Sequence, residues 1–593
     1  MSQTPNSNCL SIITDFSVGL TAALEAKRLG LSVRIIDRKE DRSVKDSRAV
    51  VVHPRVMELL EPHRGGALVS EIERKSFHLR GVNAYLPNWS HWLPGYGQDT
   101  STSENENKGD NENNNNNNTK DSPHLLDLST VVWGDTDYPN LYFLPQYETE
   151  RVLEESFVFE GGKVDYGFAI EDLAQEDGMV TTTIRNTHTD KPESVTSRWV
   201  LGADGGRSKT RDLIGSKLDR RSSDVYWVIA DVVFKGDVPL ASHAPGKCGH
   251  MFPSGPLAFL PLPAENSYRL LGKVPIGIKS KDDVDLNEKF FEDFLLEKTG
   301  RKFKVELGEW QTIFKITHGK TNYYRKDNVM IAGDAAHVHS PVGGQGMNLG
   351  MQDSNNLLWK LAWSKRILKA SSSEEDYTKA NEVVDAILET YHSERNALGK
   401  KIVKEVEFAT QMLAVNNPVI KFFRDEFLRL MVPSETAKNN FRKMGQLDLA
   451  YAPSSSILLF ENHSWTAHYI CSAGTRLPNI YLDDGSKLYS HIDRVHHTWV
   501  ILNNSNGSDN DDSDEDSKAV PIPASWEAKV LRVSAAGVEQ QVSFPVLSEK
   551  AYAAPQVLLV RPDQFVAGVG SSLEHLLDEL RKAGMSETAL ATM

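Results

Sequence analysis

The sequence predicts an α/β protein, and three observations support this fold class. Near the N-terminus, an apolar strand, a helical stretch and a second strand follow one another as in a βαβ unit. Residues 222–324 alternate apolar and polar side chains between frequent turns, which predicts an antiparallel sheet. Residues 451–593 return to an α/β pattern. We therefore expect a parallel-sheet domain with an inserted antiparallel sheet, followed by a C-terminal α/β domain.

The composition is that of a soluble globular protein. The chain has 593 residues, of which 40% are hydrophobic and 25% charged. No run of about 18 apolar residues occurs, and the polar segment 1–9 lacks the features of a signal peptide, so we expect a cytoplasmic protein with no integral membrane segment. The cysteines Cys9, Cys248 and Cys471 lie far apart, so neither a zinc site nor a disulfide framework is indicated.

Two polar stretches carry much of the net charge of -15. Residues 103–122 hold five acidic and two basic side chains, and residues 504–518 hold six acidic side chains and one lysine. Because these stretches have few apolar residues to offset the entropy of ordering, both are predicted to be disordered loops. The rest of the chain shows no basic stripe, so nucleic acid is not an expected partner.

The N-terminal βαβ unit is predicted from three segments. Residues 11–13 form the first strand, Val18 to Leu29 form a helix that ends at Gly30, and residues 31–37 form the second strand. The second strand ends in Asp37, followed by Arg38. In a dinucleotide-binding fold, an acid about 20 residues after the glycine turn binds the adenosine ribose, and Asp37 stands 18 residues after Gly19.

The turn between this strand and helix departs from the Gly-x-Gly-x-x-Gly pattern of such folds. Its three glycine positions hold Thr14, Phe16 and Gly19, so only the third glycine is present. Phe16 stands where a bare backbone would approach a pyrophosphate, and Asp15 adds a negative charge there. Functional divergence, a degenerating enzyme and a mis-joined exon each explain such a block, and the sequence leaves all three open.

The segment from Val329 to Asn348 is the most informative of the chain. An apolar strand over residues 329–332 precedes Asp334, a glycine-rich turn and a helix that begins near Gly346. Asp334 can accept hydrogen bonds from a polyol, and the turn with its helix N-terminus offers positive potential to an electron-rich ring. The run resembles the second FAD fingerprint of the aromatic-ring flavoprotein monooxygenases, most closely that of the phenol hydroxylase branch. The resemblance implies FAD binding by Asp334, Gly344, Gln345, Gly346, Met347 and Asn348.

Other segments extend this resemblance in the family's order. Residues 47–60 resemble its Ser-Arg-Ala and Pro-Arg-x-x-Glu-x-Leu motifs, and residues 144–153 its Gln-x-x-x-Glu-x-x-Leu helix. Residues 199–211 resemble its Gly-Ala-Asp-Gly motif, which serves both FAD and the nicotinamide cofactor. The implied roles fall on Arg48 near the pyrophosphate, Gln146 on the ribityl chain, and Asp204 with Gly205 on the flavin side. Arg207 or Arg211 is expected to reach a phosphate.

The family's substrate motif is altered in this chain. Phenol hydroxylase-like members use Arg-x-Tyr in the inserted sheet, and the matching residues here are Arg269, Leu270 and Leu271. The resemblance therefore makes Arg269 a candidate catalytic residue, with Tyr268 or Tyr226 as a substitute for the missing tyrosine. His337 and His339 are expected to be structural, and no metal site is predicted.

The C-terminal part resembles the thioredoxin-like domain of phenol hydroxylase-type enzymes. Its motif Arg-Pro-Asp-Gly reads Arg561-Pro-Asp-Gln564 here, and no Cys-x-x-Cys accompanies it, which excludes dithiol redox chemistry. We expect this domain to serve packing or dimerisation, so a homodimer is left open. The implied fold is a discontinuous Rossmann-like FAD-binding domain (1–75, 145–220 and 325–450), an inserted antiparallel substrate domain (76–144 and 221–324) and a thioredoxin-like domain (451–593).

The resemblance implies a single-component monooxygenase. NADPH or NADH would reduce FAD, and a flavin C4a-hydroperoxide formed from O2 would hydroxylate a small phenolic or related aromatic or polyketide substrate. Two alternatives stay open at this point. A flavoprotein-fold pseudoenzyme or repurposed relative would explain the altered residues Thr14 and Phe16. A halogenase or a simple NAD dehydrogenase is disfavoured, because the chain lacks Trp-x-Trp-x-Ile-Pro and because a dehydrogenase would not need the fingerprint at Asp334.

Overall fold

The fold is taken from a computed structural model that describes most of the chain. The described residues are 9–14, 16–42, 48–87, 121–128, 131, 133, 135–240, 248–275, 277–278, 283–432, 434–452, 460–461, 473–482, 484–503, 530–534, 556–570, 573–582, 585 and 590. Residues 103–120 of the first predicted loop, and all of the second at 504–518, lie outside these ranges. The prediction that the first loop continues to residue 122 is wrong, because a strand begins at Asp121.

The described part of the chain contains both strands and helices, as expected for an α/β protein. The strands are β1 (Cys9–Thr14), β2 (Ser32–Asp37), β3 (Val51–Val52), β4 (Phe77–His78), β5 (Gly81–Pro87), β6 (Asp121–Asp127), β7 (Tyr142–Phe143), β8 (Val164–Tyr166), β9 (Phe168–Glu176), β10 (Met179–Asn186), β11 (Pro192–Ser197), β12 (Trp199–Ala203), β13 (Leu218–Lys235), β14 (Cys248–Phe252), β15 (Leu257–Pro261), β16 (Ser267–Lys273), β17 (Lys304–Thr321), β18 (Arg325–Lys326), β19 (Val329–Ile331), β20 (His337–Val338), β21 (Phe460–Glu461), β22 (Thr498–Asn503), β23 (Val530–Ser534), β24 (Gln556–Val560) and β25 (Val566–Gly570). The helices are α1 (Ser17–Arg28), α2 (Pro54–Leu60), α3 (Ala67–Lys75), α4 (Gln146–Phe159), α5 (Lys209–Leu213), α6 (Glu288–Thr299), α7 (Gln345–Ala370), α8 (Glu374–Ala414), α9 (Pro418–Met431), α10 (Glu435–Met444) and α11 (Leu573–Lys582).

A mostly parallel sheet forms the first layer, with the strand order β18-β19-β12-β1-β2-β8. Strands β1, β2, β8, β12 and β19 run parallel, and β18 returns antiparallel at the edge. Helix α1 packs closely on this sheet at Gly19. A Cβ built on Gly19 would stand only 2.0 Å from Oγ1 of Thr14, so no larger residue fits there. The predicted βαβ unit and the role of the third glycine in close helix packing are therefore confirmed.

The inserted sheet has the order β20-β17-β13-β16-β15-β14-β5-β6 and is antiparallel except where β14 pairs with β5. One face carries an apolar core that includes Val228, Leu270 and Phe259, covered by Phe291 and Phe294 of α6. Alternate residues on β13 and β16 therefore point to the opposite face, toward the first domain. The sheet extends to residue 338 through β20, which lies beyond the predicted substrate segment 221–324.

The C-terminal sheet has the order β21-β25-β24-β22-β23 among the described strands. Strands β22 and β23 are parallel, whereas β24 runs antiparallel to both β22 and β25. Thioredoxin-like identity and the predicted domain boundaries stay predictions. Within the described ranges, no helix combines the length and apolar character needed to cross a membrane.

A buried ionic cluster joins the C-terminal part to the first domain. Arg561 donates to both carboxylate oxygens of Glu394, at 2.8 and 3.0 Å, and to Asp563. Gln564 follows with a φ of 64°, a conformation that favours the glycine found in the resembled motif. Its side-chain oxygen accepts a hydrogen bond from Arg55 Nη1 (2.7 Å), which offsets that strain.

Candidate functional site

The altered glycine turn places an aromatic ring at the carboxyl end of β1. Phe16 has a φ of 68° and ψ of -94°, a backbone conformation that a phenylalanine rarely adopts, and its side chain is 2% exposed. The ring centre lies 6.0 Å from that of Tyr166 and 4.3 Å from Nζ of Lys39. The side chain therefore fills space beside the end of β2, where a dinucleotide fold holds its adenosine half. Asp15 lies outside the described residues.

The end of β2 retains the acid that the sequence predicts for the ribose. Asp37 is 1% exposed, and its Oδ1 accepts a hydrogen bond from the backbone N–H of Lys39 (2.8 Å). Arg38 is exposed beside it. The strand thus ends as predicted, and Lys39, which bonds to Asp37 through its backbone N–H, also lies over the Phe16 ring.

The second fingerprint forms an open turn above the sheet. Asp334 is exposed in a 3-10 turn directly after β19. Gly343 and Gly344 both have positive φ, 81° and 62°, and helix α7 begins at the next residue with no acid in its first turn. A Cβ on Gly344 would stand 2.3 Å from Cγ1 of Val51, so only glycine fits there. The N-terminus of this helix of 26 residues therefore presents unneutralised positive potential.

A buried acid holds this turn from below. Asp353 in α7 accepts hydrogen bonds from the backbone N–H of Gly333 (3.0 Å), from His337 Nε2 (2.8 Å) and from Arg395 Nε (2.5 Å). Burial opposes ionisation, but Arg395 and His337 outweigh it and hold the pKa of Asp353 below its ordinary value. His337 is thus a structural residue. Sequence reasoning missed Asp353 and Arg395, although a lone acid inside the apolar pattern of α7 is a signal for a buried partner.

The Gly-Ala-Asp-Gly turn lies next to the Asp334 turn. Asp204 accepts hydrogen bonds from Ser208 Oγ (2.5 Å) and from the backbone N–H of Thr210 (2.9 Å), so it orders the turn and the start of α5 as predicted. Burial raises its pKa. Arg211 donates to the carbonyl oxygens of Gly206 and Ala335, both at 3.3 Å, and this joins the two turns. Gly205 is buried with a φ of 77°, and Arg207 is exposed.

The segment from Arg48 to Val51 is fixed by two amide side chains. Oε1 of Gln146 accepts hydrogen bonds from the backbone N–H groups of Arg48 (3.2 Å) and Ala49 (3.1 Å). Nδ2 of Asn348 donates to the carbonyl oxygens of Val51 and Gly344, both at 2.9 Å. Gln146 and Asn348 therefore hold the loop together, and their direct contact with a cofactor stays a prediction. Arg48 is exposed above this loop.

Gln345, Gly346 and Met347 form the first turn of α7. Gln345 Nε2 donates to the carbonyl oxygen of Met444 at 3.4 Å, so its amide already has a protein partner. A Cβ on Gly346 would only touch His339 Cε1, at 3.4 Å. The backbone of this turn, rather than the side chain of Gln345, is what can face a ring.

Arg269 connects the inserted sheet to the Ser-Arg-Ala loop. Its guanidinium donates to both oxygens of Asp231, at 2.6 and 2.7 Å, and to the carbonyl oxygen of Ala49 (2.7 Å). The side chain is 0% exposed and lies 5.4 Å from the centre of the Trp310 ring. Arg269 thus holds the segment at Ala49 against the inserted sheet, and its expected role toward a substrate stays a prediction.

An aromatic and aliphatic cluster shares this face of the sheet. Its members are Trp227, Ile229, Leu271 and Ile316, with Val225, Trp310, Phe314 and Ala414 packed around them. Arg48 lies 6.0 Å from the centre of the Phe314 ring, so the cluster borders the loop. Tyr268 and Tyr226 pack with the core under α6, on the opposite face. The suggestion that either replaces the missing tyrosine is therefore wrong, because strand residues alternate between faces.

The two halves of the site differ in how well they fit FAD. The flavin half has an exposed Asp334, the Gly343–Gly344 turn and the N-terminus of α7, and Gly344 lies against Val51, close in sequence to Arg48. Helix α7 also contacts the start of α1, since Ser354 Oγ donates to the carbonyl oxygen of Val18 (2.9 Å). In the adenosine half, Phe16 occupies room beside Asp37. Among the described residues, no group of three or more His, Cys, Asp or Glu side chains is arranged to hold a metal ion.

Comparison with known proteins agrees with this architecture. Residues 17–406 match a family model described as an FAD binding domain, so the match begins directly after Phe16. The 6-methylpretetramide 4-monooxygenase of Streptomyces rimosus is 29% identical over 68% of this chain, and the aligned region spans 61% of that protein, less than two thirds of its length. Anhydrotetracycline monooxygenase of the same species is 27% identical over 95% of this chain and 96% of its own. The flavin-dependent monooxygenase PieE, solved with FAD and substrate, is 18% identical with a TM-score of 0.68, covering 99% of this chain and 100% of that one.

Proposed function

Because the chain belongs to the FAD-binding domain family of aromatic and polyketide monooxygenases, with FAD as its cofactor, we propose that it hydroxylates a small aromatic ring with NAD(P)H and O2. The observation that carries this proposal is the contact between the parallel-sheet domain and the inserted antiparallel sheet. There Asn348, in the first turns of α7, donates to the carbonyl oxygen of Val51, and Arg269 of the inserted sheet donates to the carbonyl oxygen of Ala49 in the same segment. FAD held beside Asp334 and the N-terminus of α7 would supply the redox and oxygen-transfer chemistry, with NAD(P)H as the electron donor and O2 as the oxygen source.

The chain's own residues prepare the site for that chemistry. Asp334 offers an acceptor for a polyol chain, and the end of α7 lowers the energy of negative charge on an adjacent ring. Trp310 and Phe314 supply flat apolar surface for an aromatic substrate and exclude water from it. The exposed guanidinium of Arg48 lies 6.0 Å from the centre of the Phe314 ring and would add positive charge beside a phenolate bound there.

Substrate class follows from this lining. The cluster around Trp227 and Phe314 is apolar and aromatic. Two buried cations share this face among the described residues: Arg269 is paired with Asp231, and Lys273 Nζ donates to the carbonyl oxygen of Ala414 (3.4 Å) and to Asn416 Oδ1 (2.8 Å). A neutral or phenolic ring, or a larger aromatic polyketide, suits the apolar part of this lining better than a carboxylated ring, because a carboxylate buried there would cost free energy unless it reached one of these cations.

The test is oxygen transfer itself. Purified protein supplied with FAD and NADPH or NADH would be incubated under labelled O2 with phenols and polycyclic aromatic polyketides. We expect one labelled oxygen atom in a product that forms only with the reductant present. Asp334→Ala is the matched control that should lose product formation. Reductant consumption without labelled product from any ring would contradict the proposal.

One observation supports a second candidate function. Phe16 occupies part of the adenosine half and replaces a glycine that lets a pyrophosphate approach the backbone. A relative that has lost tight FAD binding, and works as a binding protein or not at all, would carry such a change. Full occupancy of the purified protein by FAD would exclude this candidate.

A further inference from the structure

Helix α9 turns its polar side inward and its apolar side to solvent. Its buried residues are Arg424 and Asp425, which are 4% and 0% exposed. Arg424 Nη2 donates to Asp425 Oδ1 (2.6 Å), and Ser254 Oγ of the inserted sheet region donates to Asp425 Oδ2 (3.2 Å). A surface helix of a soluble protein normally has the opposite arrangement, with its apolar stripe against the core. The outward stripe of α9 therefore calls for a partner.

The outward residues have the spacing of a helix–helix seam. They are Ile420, Phe423, Phe427 and Leu430, exposed by 46%, 66%, 60% and 76%, with Val419 beside them at 56%. Successive members of the four are separated by 3, 4 and 3 positions, which is the pattern of residues that pack against a second helix.

The same four residues are symmetric about the middle of the helix. Read from either end, the seam is aliphatic, aromatic, aromatic, aliphatic, with equal steps. A twofold axis through the middle of α9 would place Ile420 of one copy against Leu430 of the other, and Phe423 against Phe427. An interface between identical chains needs this self-complementarity, whereas a different partner does not.

The exposed area is sufficient for such a pair. A large apolar side chain carries about 150–250 Å² of surface when aromatic, so the five residues together offer on the order of 500 Å². Two copies would bury roughly 1,000 Å², about the least that a specific interface requires, before any contribution from its rim.

We propose that α9 is the dimer interface of this protein and that its occupant is α9 of a second copy, packed antiparallel. The proposal is independent of the catalytic activity. A membrane surface is the less suitable occupant, because a helix that lies on a bilayer presents a strongly basic polar face. The polar face of α9 is instead buried, and its Arg424 is paired with Asp425.

The first experiment measures self-association of the full chain by sedimentation over a wide concentration range. We expect a dimer, and we expect the double variant Phe423→Glu/Phe427→Glu to raise its dissociation constant at least 100-fold without changing the melting temperature. Phe159→Glu is the matched control, since Phe159 is 70% exposed on a different helix, and it should leave the constant unchanged. A monomer at every concentration, or a constant that the double variant does not change, would overturn the proposal.

A cross-linking experiment stays informative if the glutamate variant fails to fold. Ile420→Cys/Leu430→Cys should give a disulfide-linked dimer under mild oxidation, because each new thiol faces one on the other copy. Ile420→Cys alone should give no more disulfide-linked dimer than the native chain, since the new thiol would face Leu430 of the other copy. Equal cross-linking by single and double variants would overturn the antiparallel pairing. Binding of a monomeric protein to anionic phospholipid vesicles, lost in Phe423→Glu/Phe427→Glu, would overturn it in favour of a membrane surface.

Discussion

The Nζ atom of Lys39 lies 4.3 Å from the centre of the Phe16 ring, so a residue of the altered glycine turn contacts a residue two positions beyond the end of β2. This contact, together with the left-handed φ of 68° at Phe16, shows that the turn adopts a strained conformation in which the ring stays buried. The expected FAD site is therefore open around Asp334, whereas the Phe16 ring takes up space near the end of β2, where the adenosine half is expected to bind.

Replacing Phe16 by glycine should tighten FAD binding. The change removes the ring from the adenosine half and relieves the strain of a positive φ, each worth about 1–3 kcal/mol. We therefore expect the dissociation constant for FAD to fall by roughly one to two decades for each of the two effects, measured by titration of flavin fluorescence. Phe16→Leu is the control that keeps the bulk, and it should not bind more tightly than the parent. An unchanged constant in Phe16→Gly would show that the cofactor does not depend on this turn.

Asp334→Ala should fold normally and retain much less FAD. Asp334 is exposed at the end of β19, so its removal costs little stability while it deletes an acceptor from the flavin half. Released flavin fluorescence per mole of protein gives the FAD content, and the melting temperature reports the fold. Asp172→Ala, at an exposed strand position outside the site, serves as control. Equal FAD content in Asp334→Ala and the parent would remove Asp334 from the site.

Arg269→Met should be strongly destabilised. The variant leaves Asp231 with no cation in an ion pair whose arginine is 0% exposed, and breaking such a pair typically costs about 3–5 kcal/mol. Denaturant unfolding measures the loss. The double variant Arg269→Met/Asp231→Leu should recover most of it, because a hydrophobic pair replaces the ionic one. A full loss of stability in the double variant would mean that the bond to Ala49, not the ion pair, holds the sheet to the loop.

His53 should make the protein lose stability as the pH falls. Burial lowers the pKa of this histidine to about 3, although a contact with Gln446 opposes the shift. The unfolded chain takes up a proton near pH 6.5 and the folded chain does not, so the stabilisation is present above that pH and declines between about pH 6.5 and 3. His53→Leu should reduce the slope of unfolding free energy against pH by up to about 1.4 kcal/mol per unit.

The control for this pH experiment is His188→Leu, which removes an exposed histidine. It should leave the slope as it is in the parent. Parallel slopes for His53→Leu and the parent between pH 4.5 and 6 would contradict the buried, neutral state of His53.

Local patterns in the sequence predicted the scaffold well and the side-chain partners poorly. The strand before Asp334, the start of α7 and the βαβ unit follow from periodicity and turn residues, which act over a few neighbouring positions. The position of the Phe16 ring depends on its contacts with Lys39 and Tyr166, which are distant in sequence and come together only on folding. The ion pair between Arg269 and Asp231 could not be predicted for the same reason, since it exists only once β13 and β16 are aligned.

The visible absorption spectrum of the purified chain tests the central claim, FAD binding by this site, most directly. The account predicts the bands of oxidised flavin at partial occupancy, which rise toward equimolar flavin after incubation with FAD and desalting. The same treatment should leave Asp334→Ala largely colourless. A parent protein that retains no flavin even after exposure to excess FAD, while remaining folded, would contradict the assignment of this site to FAD.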